Sequence, residues 1–166
     1  MLGNIGSWWK GLASGRGIQP AANERPLKEA QLQVCTDLTA LDDVLRWFEQ
    51  FNTAPLSCKE WWECETALVE GFTNAVTHAH CHLPQTTPIE LEVIVFAHYV
   101  EMRIWDRGDP FDLEAYVEEL LKRPIDLWDE HHRGLRIMKA LTDELYYRRT
   151  PDGRNCLLLR KRITGE

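Results

Sequence analysis

The stretch ALVEGFTNAVTHAH, residues 67 to 80, decides how the rest of this chain is read. At about 100° per residue, Glu70, Asn74 and His78 stand at i, i+4 and i+8 and form one polar stripe of a helix. Trp61, Cys64, Leu68, Phe72, Ala75 and Ala79 form a separate apolar stripe. One face is therefore expected to enter a core while the other presents a carboxylate, an amide and an imidazole. Alone, the triplet also describes an ordinary amphipathic helix with a solvated polar face, the default for any such stripe. Its neighbours shift that reading.

Working outward, Ser57-Cys58-Lys59-Glu60 has the capping-box pattern that starts this helix. Residues 28 to 36 alternate as a first strand, with Leu32 and Val34 on one side. Asp37 is placed to cap a helix reaching about Phe51, which turns Leu41, Val44, Leu45 and Phe48 inward. Downstream, residues 89 to 96 are strongly apolar, and Val100, Met102 and Ile104 alternate with Glu101, Arg103 and Trp105. Ala97-His98 leaves room only for a hairpin turn between them. A charged connection over residues 111 to 133 is expected to be helical between Leu113 and Lys122, and Gly134 to open a helix to about Thr142. Residues 144 to 149 and 156 to 163 predict a last hairpin around the turn-prone Pro151-Asp152-Gly153. The pattern is α+β: a two-layer sandwich with a mostly antiparallel sheet and helices on one face.

The chain's 166 residues suit one domain, residues 27–166, preceded by a Gly-, Ser-, Ala- and Pro-rich arm over residues 1–26 that carries Trp8 and Trp9. No apolar run approaches the ~20 residues of a membrane span, and the start lacks the continuous apolar core of a signal peptide. Five scattered cysteines, an odd number, point to reduced thiols and a cytoplasmic setting. The net charge of −7 disfavours direct nucleic-acid binding through phosphates. Arg148, Arg149, Arg154, Arg160, Lys161 and Arg162 cluster late and are expected to form a solvated sheet face. His78, His80, Cys81 and His82 crowd together, but no CxxC or HExxH spacing supports zinc.

Three motifs occur in order. Glu70-x-x-x-Asn74-x-x-x-His78-Ala79 lies on the helix, IWDRGDPFD (residues 104 to 112) follows a strand, and HHRGLRIMKALTDE (residues 131 to 144) leads a helix with a glycine. Together they resemble the ATP-binding domain of the GHKL superfamily, the Bergerat fold, and more closely its anti-sigma-factor serine/threonine kinase branch. The resemblance implies ATP and Mg²⁺. Asn74 would supply an amide oxygen to the metal, which accepts few protein ligands and keeps phosphate and water for the rest. Glu70 would accept the hydroxyl proton of a substrate serine or threonine. His78 would support the end of the site.

By the same resemblance Asp106 would accept a hydrogen bond from the exocyclic amine of adenine, where guanine offers a carbonyl oxygen and is repelled. Gly108 would leave room for the base, and Pro110 would stiffen the turn. Asp112 is expected to cap the next helix. Arg133, Gly134 and Leu135 would meet the phosphates, although this segment has fewer glycines than the branch usually carries. His131, His132 or Arg133 would then share that work as cations. Cys156 stands where a threonine often helps to hold adenine.

The resemblance further implies partners: a sigma factor that is sequestered, a STAS-type antagonist that is phosphorylated on serine, and a homodimer. Two other readings compete with a kinase. One is the same fold as a protein-binding module with weak or no nucleotide, favoured by the depleted glycines. The other is a detached histidine-kinase catalytic domain, disfavoured because no dimerisation helix pair with a phosphoacceptor His is present.

Overall fold

The computed structural model describes residues 24–124 and 130–165. Most of the expected arm, with Trp8 and Trp9, lies outside these residues. Among the described residues, five strands form one sheet: β1 (Lys28–Cys35), β2 (Pro88–Val95), β3 (Tyr99–Asp106), β4 (Glu144–Arg149) and β5 (Asn155–Arg162). Their order is β1-β2-β3-β5-β4, and every neighbouring pair is antiparallel. Four α-helices pack on one face: α1 (Leu41–Phe48), α2 (Cys58–Asn74), α3 (Leu113–Lys122) and α4 (Glu130–Leu141).

Alternation in the strands sets that face. Ile89, Leu91, Val93 and Val95 of β2, with Val100, Met102 and Ile104 of β3, join Leu68 and Phe72 of α2 in one core. Fully burying side chains of this size contributes about 1.5–3 kcal/mol each, so the stripe on α2 holds the two layers together. Gly71 lets the helix approach closely, since a Cβ there would lie 2.4 Å from Ile104 Cδ1.

Helix α2 starts where its sequence predicts. Ser57 Oγ accepts from the backbone N–H of Glu60, while the Glu60 carboxylate accepts from Ser57 N at 2.9 Å. The same carboxylate also receives Thr164 N at 2.6 Å and Thr164 Oγ1 at 3.0 Å, which ties the segment after β5 to the helix start. Burial alone would raise the Glu60 pKa, but the bonds from Thr164 and Ser57 outweigh it and hold it down at about 2.

Three local expectations are corrected. The first helix is split, with single 3₁₀ turns at Leu38–Ala40 and Glu49–Phe51 flanking α1. Helix α2 does not continue regularly through His78: Ala75–Ala79 form a π-turn, so the polar stripe loses its α-helical period after Asn74. The late basic residues are a solvated face only in part: Arg149 and Arg162 are exposed, but the other four are paired. Arg160, 6% exposed, is paired with Glu101 at 2.7 Å and Glu144 at 3.0 Å. Arg148 meets Glu114, Arg154 meets Glu90, and Lys161 meets Glu63. An acidic partner within the chain exists for each of these cations.

Candidate nucleotide site

A cleft of about 660 Å³ opens between the end of α2, the end of β3 and α4. That is within the range of small-ligand sites. Ile104, Leu135, Met138 and Leu157 give it apolar walls, and Asp106 and Asp109 bring carboxylates to it. Asn74, His78, Gly108 and Pro110 also line it.

Asp106 is buried and closely held. Its Oδ1 accepts from Asn155 Nδ2 at 2.8 Å and from the Gly108 backbone N–H at 2.8 Å. Its Oδ2 accepts from Tyr147 Oη at 2.7 Å. An ionised carboxylate offers about four acceptor positions, so three donors leave room for one more. The Tyr147 hydroxyl is pushed well above its ordinary pKa by burial and by the neighbouring Asp106 charge, which keeps it a donor. The loop beyond is fixed by the same hairpin: Gly108 O accepts from Arg149 Nη1 at 2.9 Å and Asn155 Nδ2 at 3.0 Å. A Cβ on Gly108 would lie 2.5 Å from the Ala79 carbonyl oxygen, so the loop can approach the π-turn only as glycine.

Glu70 and Asn74 come together one helical turn apart, beneath α4. A Cβ built on Gly134 would lie 2.6 Å from Glu70 Oε2 and 3.5 Å from Asn74 Oδ1. Asn74 lines the cleft, whereas Glu70 is outside its lining and lies against Gly134 of α4. This corrects the expected role of the HHRGL segment. Helix α4 spans Glu130–Leu141, so Gly134 lies inside the helix and packs closely on α2, rather than standing at the helix start. Leu135 is buried and reaches the cleft, while Arg133 is exposed and lies outside its lining. His132 lines the cleft, its ring 5.6 Å from that of Tyr116. The side chain of His131 lies outside the described ones.

Cys156 is the clearest displacement. It pairs with Trp105 across β3 and β5 and packs with Trp105 and Leu158 on the sheet face away from the helices. Burial raises its thiol well above the ordinary range, so it is an inert core group. Its neighbours face the other way: Asn155 holds Asp106, and Leu157 lines the cleft. Strand alternation predicts that swap once the face is known. Asp112 accepts from Ala115 N at 3.0 Å and caps α3, as its position suggests. Among the described residues, no group of three or more His, Cys, Asp or Glu side chains could hold a metal ion.

Residues 34–161 match the histidine kinase-like ATPase domain. The chain belongs to that family. Within this family it is similar to the serine-protein kinase RsbW of Bacillus licheniformis, 31% identical over 88 residues that cover 51% of this chain and 55% of the relative. The RsbW of Oceanobacillus iheyensis is 30% identical over 87 residues, covering 50% and 54%. The chain thus spans about half the length of the curated relatives it matches. Two solved structures share the fold. One holds the RsbU and RsbW domains of a Mycobacterium tuberculosis protein (TM-score 0.59, 16% identity, 83% of this chain and 32% of that one). The other is the SiaB–SiaC complex of Pseudomonas aeruginosa (TM-score 0.56, 14% identity, 84% and 92%). The two-layer α+β architecture of the family is the one described above. No described helix is long and apolar enough to cross a membrane.

Proposed function

We propose that this chain is a protein serine/threonine kinase of the anti-sigma-factor kind, which binds ATP with Mg²⁺, sequesters a sigma factor and phosphorylates a STAS-type antagonist. The observation that carries the reading is the convergence of the Glu70 carboxylate and the Asn74 amide oxygen beside a cleft that holds a clamped carboxylate at its far end. Family membership makes a kinase-type ATPase the natural chemistry, and the RsbW relatives supply the serine-directed branch.

The residues fit an adenine nucleotide at the base end. Asp106 has one acceptor position left for the exocyclic amine, while the missing side chain of Gly108 serves the contact with Ala79 and does not by itself make room for the base. Asn74 offers a hard oxygen suited to Mg²⁺, whose other ligands would be phosphate and water. When bound, the nucleotide supplies the phosphoryl group and the metal neutralises its charge. Glu70 takes the proton of the attacking hydroxyl, a role typically worth about 10²–10⁴-fold in rate. The setting is cytoplasmic, and the working unit is a homodimer.

One observation favours a second reading, a binding module with weak or no nucleotide: Gly134 is buried inside α4 against Glu70, and not in a loop whose amides face phosphate. Titrating the purified chain with ATP and ADP, with and without Mg²⁺, and assaying γ-phosphate transfer to the host's STAS-domain proteins separates the two. Mg²⁺-dependent ATP binding with serine phosphorylation supports the kinase. Partner binding without either supports the module.

A further inference from the structure

His80 lies outside the polar stripe and outside the cleft, yet it is almost completely buried, at 1% exposure. It follows directly after the π-turn. Both ring nitrogens are engaged. The backbone N–H of Arg107 donates to Nε2 at 2.7 Å, and Nδ1 lies 2.7 Å from Thr36 Oγ1. Thr36 Oγ1 in turn lies 2.7 Å from the carbonyl oxygen of Thr87, to which its hydroxyl donates. A backbone N–H can only donate, so Nε2 must be the bare acceptor and Nδ1 must carry the proton. The Thr36 hydroxyl accepts from Nδ1 and passes its own hydrogen to Thr87. The chain of donors has one consistent direction.

The ring therefore joins three segments: the end of β1, the start of β2 and the residue between Asp106 and Gly108. We propose that His80, as the neutral Nδ1–H tautomer, is a positioning residue for the nucleotide site, holding the Asp106–Gly108 loop against the π-turn. This rests on the nucleotide reading of the cleft. Protonation would place an N–H on Nε2 opposite the N–H of Arg107, and the tether would be lost. Adenine-nucleotide affinity is then sensitive to acid through a group that never touches the ligand.

The charges acting on the ring are Asp106 from β3 and Arg107 from the loop; Thr36 and Thr87 on its other sides are uncharged. Burial lowers the His80 pKa, Asp106 opposes that and Arg107 adds to it, and the net direction is down. The folded value thus lies below the ordinary imidazole value of about 6.5. The tether is complete above that value and is lost as pH falls through the folded one.

The test measures ADP affinity by calorimetry at about pH 7.5 and about pH 5.5 for the parent, His80→Gln and His80→Asn, with melting temperature as the folding control. Gln reaches the level of Nε2 and can accept from Arg107 without titrating. Asn reaches only the level of Nδ1 and cannot. The expectation is that His80→Gln stays within about threefold of the parent at the higher pH, and His80→Asn binds about tenfold more weakly at both. The ratio of parent to His80→Gln affinity should fall as the pH drops through the folded His80 value, a comparison in which every effect common to the two proteins cancels. Equal affinities for the Gln and Asn variants, or a ratio independent of pH, would overturn the proposal. Nitrogen-15 NMR of the ring decides the tautomer separately: a protonated Nε2 in the folded parent at the higher pH also overturns it. A parent that binds no ADP at either pH removes the nucleotide reading, and with it the positioning role, even if the ring proves to be the Nδ1–H tautomer.

Discussion

Tyr147 donates its hydroxyl to Asp106 at 2.7 Å across a separation of 41 residues. With Asn155 on the other carboxylate oxygen, this places the last two strands in charge of the group expected to read adenine. The carboxylate is held by donors from two different elements, so its remaining acceptor position has a fixed direction.

Selective adenine binding is the outcome expected from that direction. Asp106→Asn replaces a charged acceptor with an amide whose N–H₂ must face existing donors, and should lose about 10- to 100-fold in ATP affinity, since a hydrogen bond to a charged group is worth about 1.5–3 kcal/mol. Tyr147→Phe should lose less, about threefold to tenfold, because it leaves the acceptor in place but loosens it. Calorimetry on the parent with ATP and GTP is the check. Equal affinities would remove Asp106 from base recognition.

Glu70 and Asn74 should separate in their effects, since the proposed mechanism gives one a proton and the other a metal. Glu70→Gln should bind ATP normally and lose phosphoryl transfer by about 10²-fold or more. Asn74→Ala should abolish the part of ATP affinity that depends on Mg²⁺. Transfer at the parental rate by Glu70→Gln would end the base assignment.

Gly134→Ala distinguishes packing from chemistry. The new methyl would lie 2.6 Å from Glu70 Oε2, the far end of a flexible side chain that can move aside. Removing a glycine from a helix interior gains about 0.5–1 kcal/mol, so melting temperature should hold or rise slightly. Phosphoryl transfer should nevertheless fall, because Glu70 is displaced. A variant with parental transfer would show that the position of Glu70 is immaterial.

The Glu60 clasp predicts acid sensitivity. Its carboxyl is held at about 2, below the unfolded carboxylate value. The contribution is therefore complete above about pH 4.3 and disappears as pH falls through the folded value. Glu60→Ala should cost about 2–3 kcal/mol near neutral pH, a fall of roughly 6–10 °C in melting temperature. The gap between variant and parent should narrow on acidification, as followed by thermal denaturation. A gap that stays constant from pH 7 down to about 3 would mean that the clasp does not depend on the charge.

Local rules explain how much of the molecule is legible from its sequence alone. The apolar stripe of α2, the capping box at Ser57 and the alternation of β2 and β3 each lie within a few residues of the feature they specify. Together they determine the elements, the sheet face and the place of Asp106 at a strand end. Glu70 and Asn74 are legible the same way, because one helical turn separates them. What the sequence does not contain is the partner of each group across the fold. The π-turn after Asn74 breaks the period that placed His78. The register of β5 against β3 sends Cys156 to the outer face and gives Asp106 to Asn155. Packing of α4 on α2 turns Gly134 from the expected start of a helix into an interior contact for Glu70. The tether from His80 to Arg107 spans 27 residues and exists only because β3 returns beside the end of the helix. Periodicity and capping are properties of neighbours along the chain, whereas register, close approach and tautomer are set by groups that meet only when the layers close.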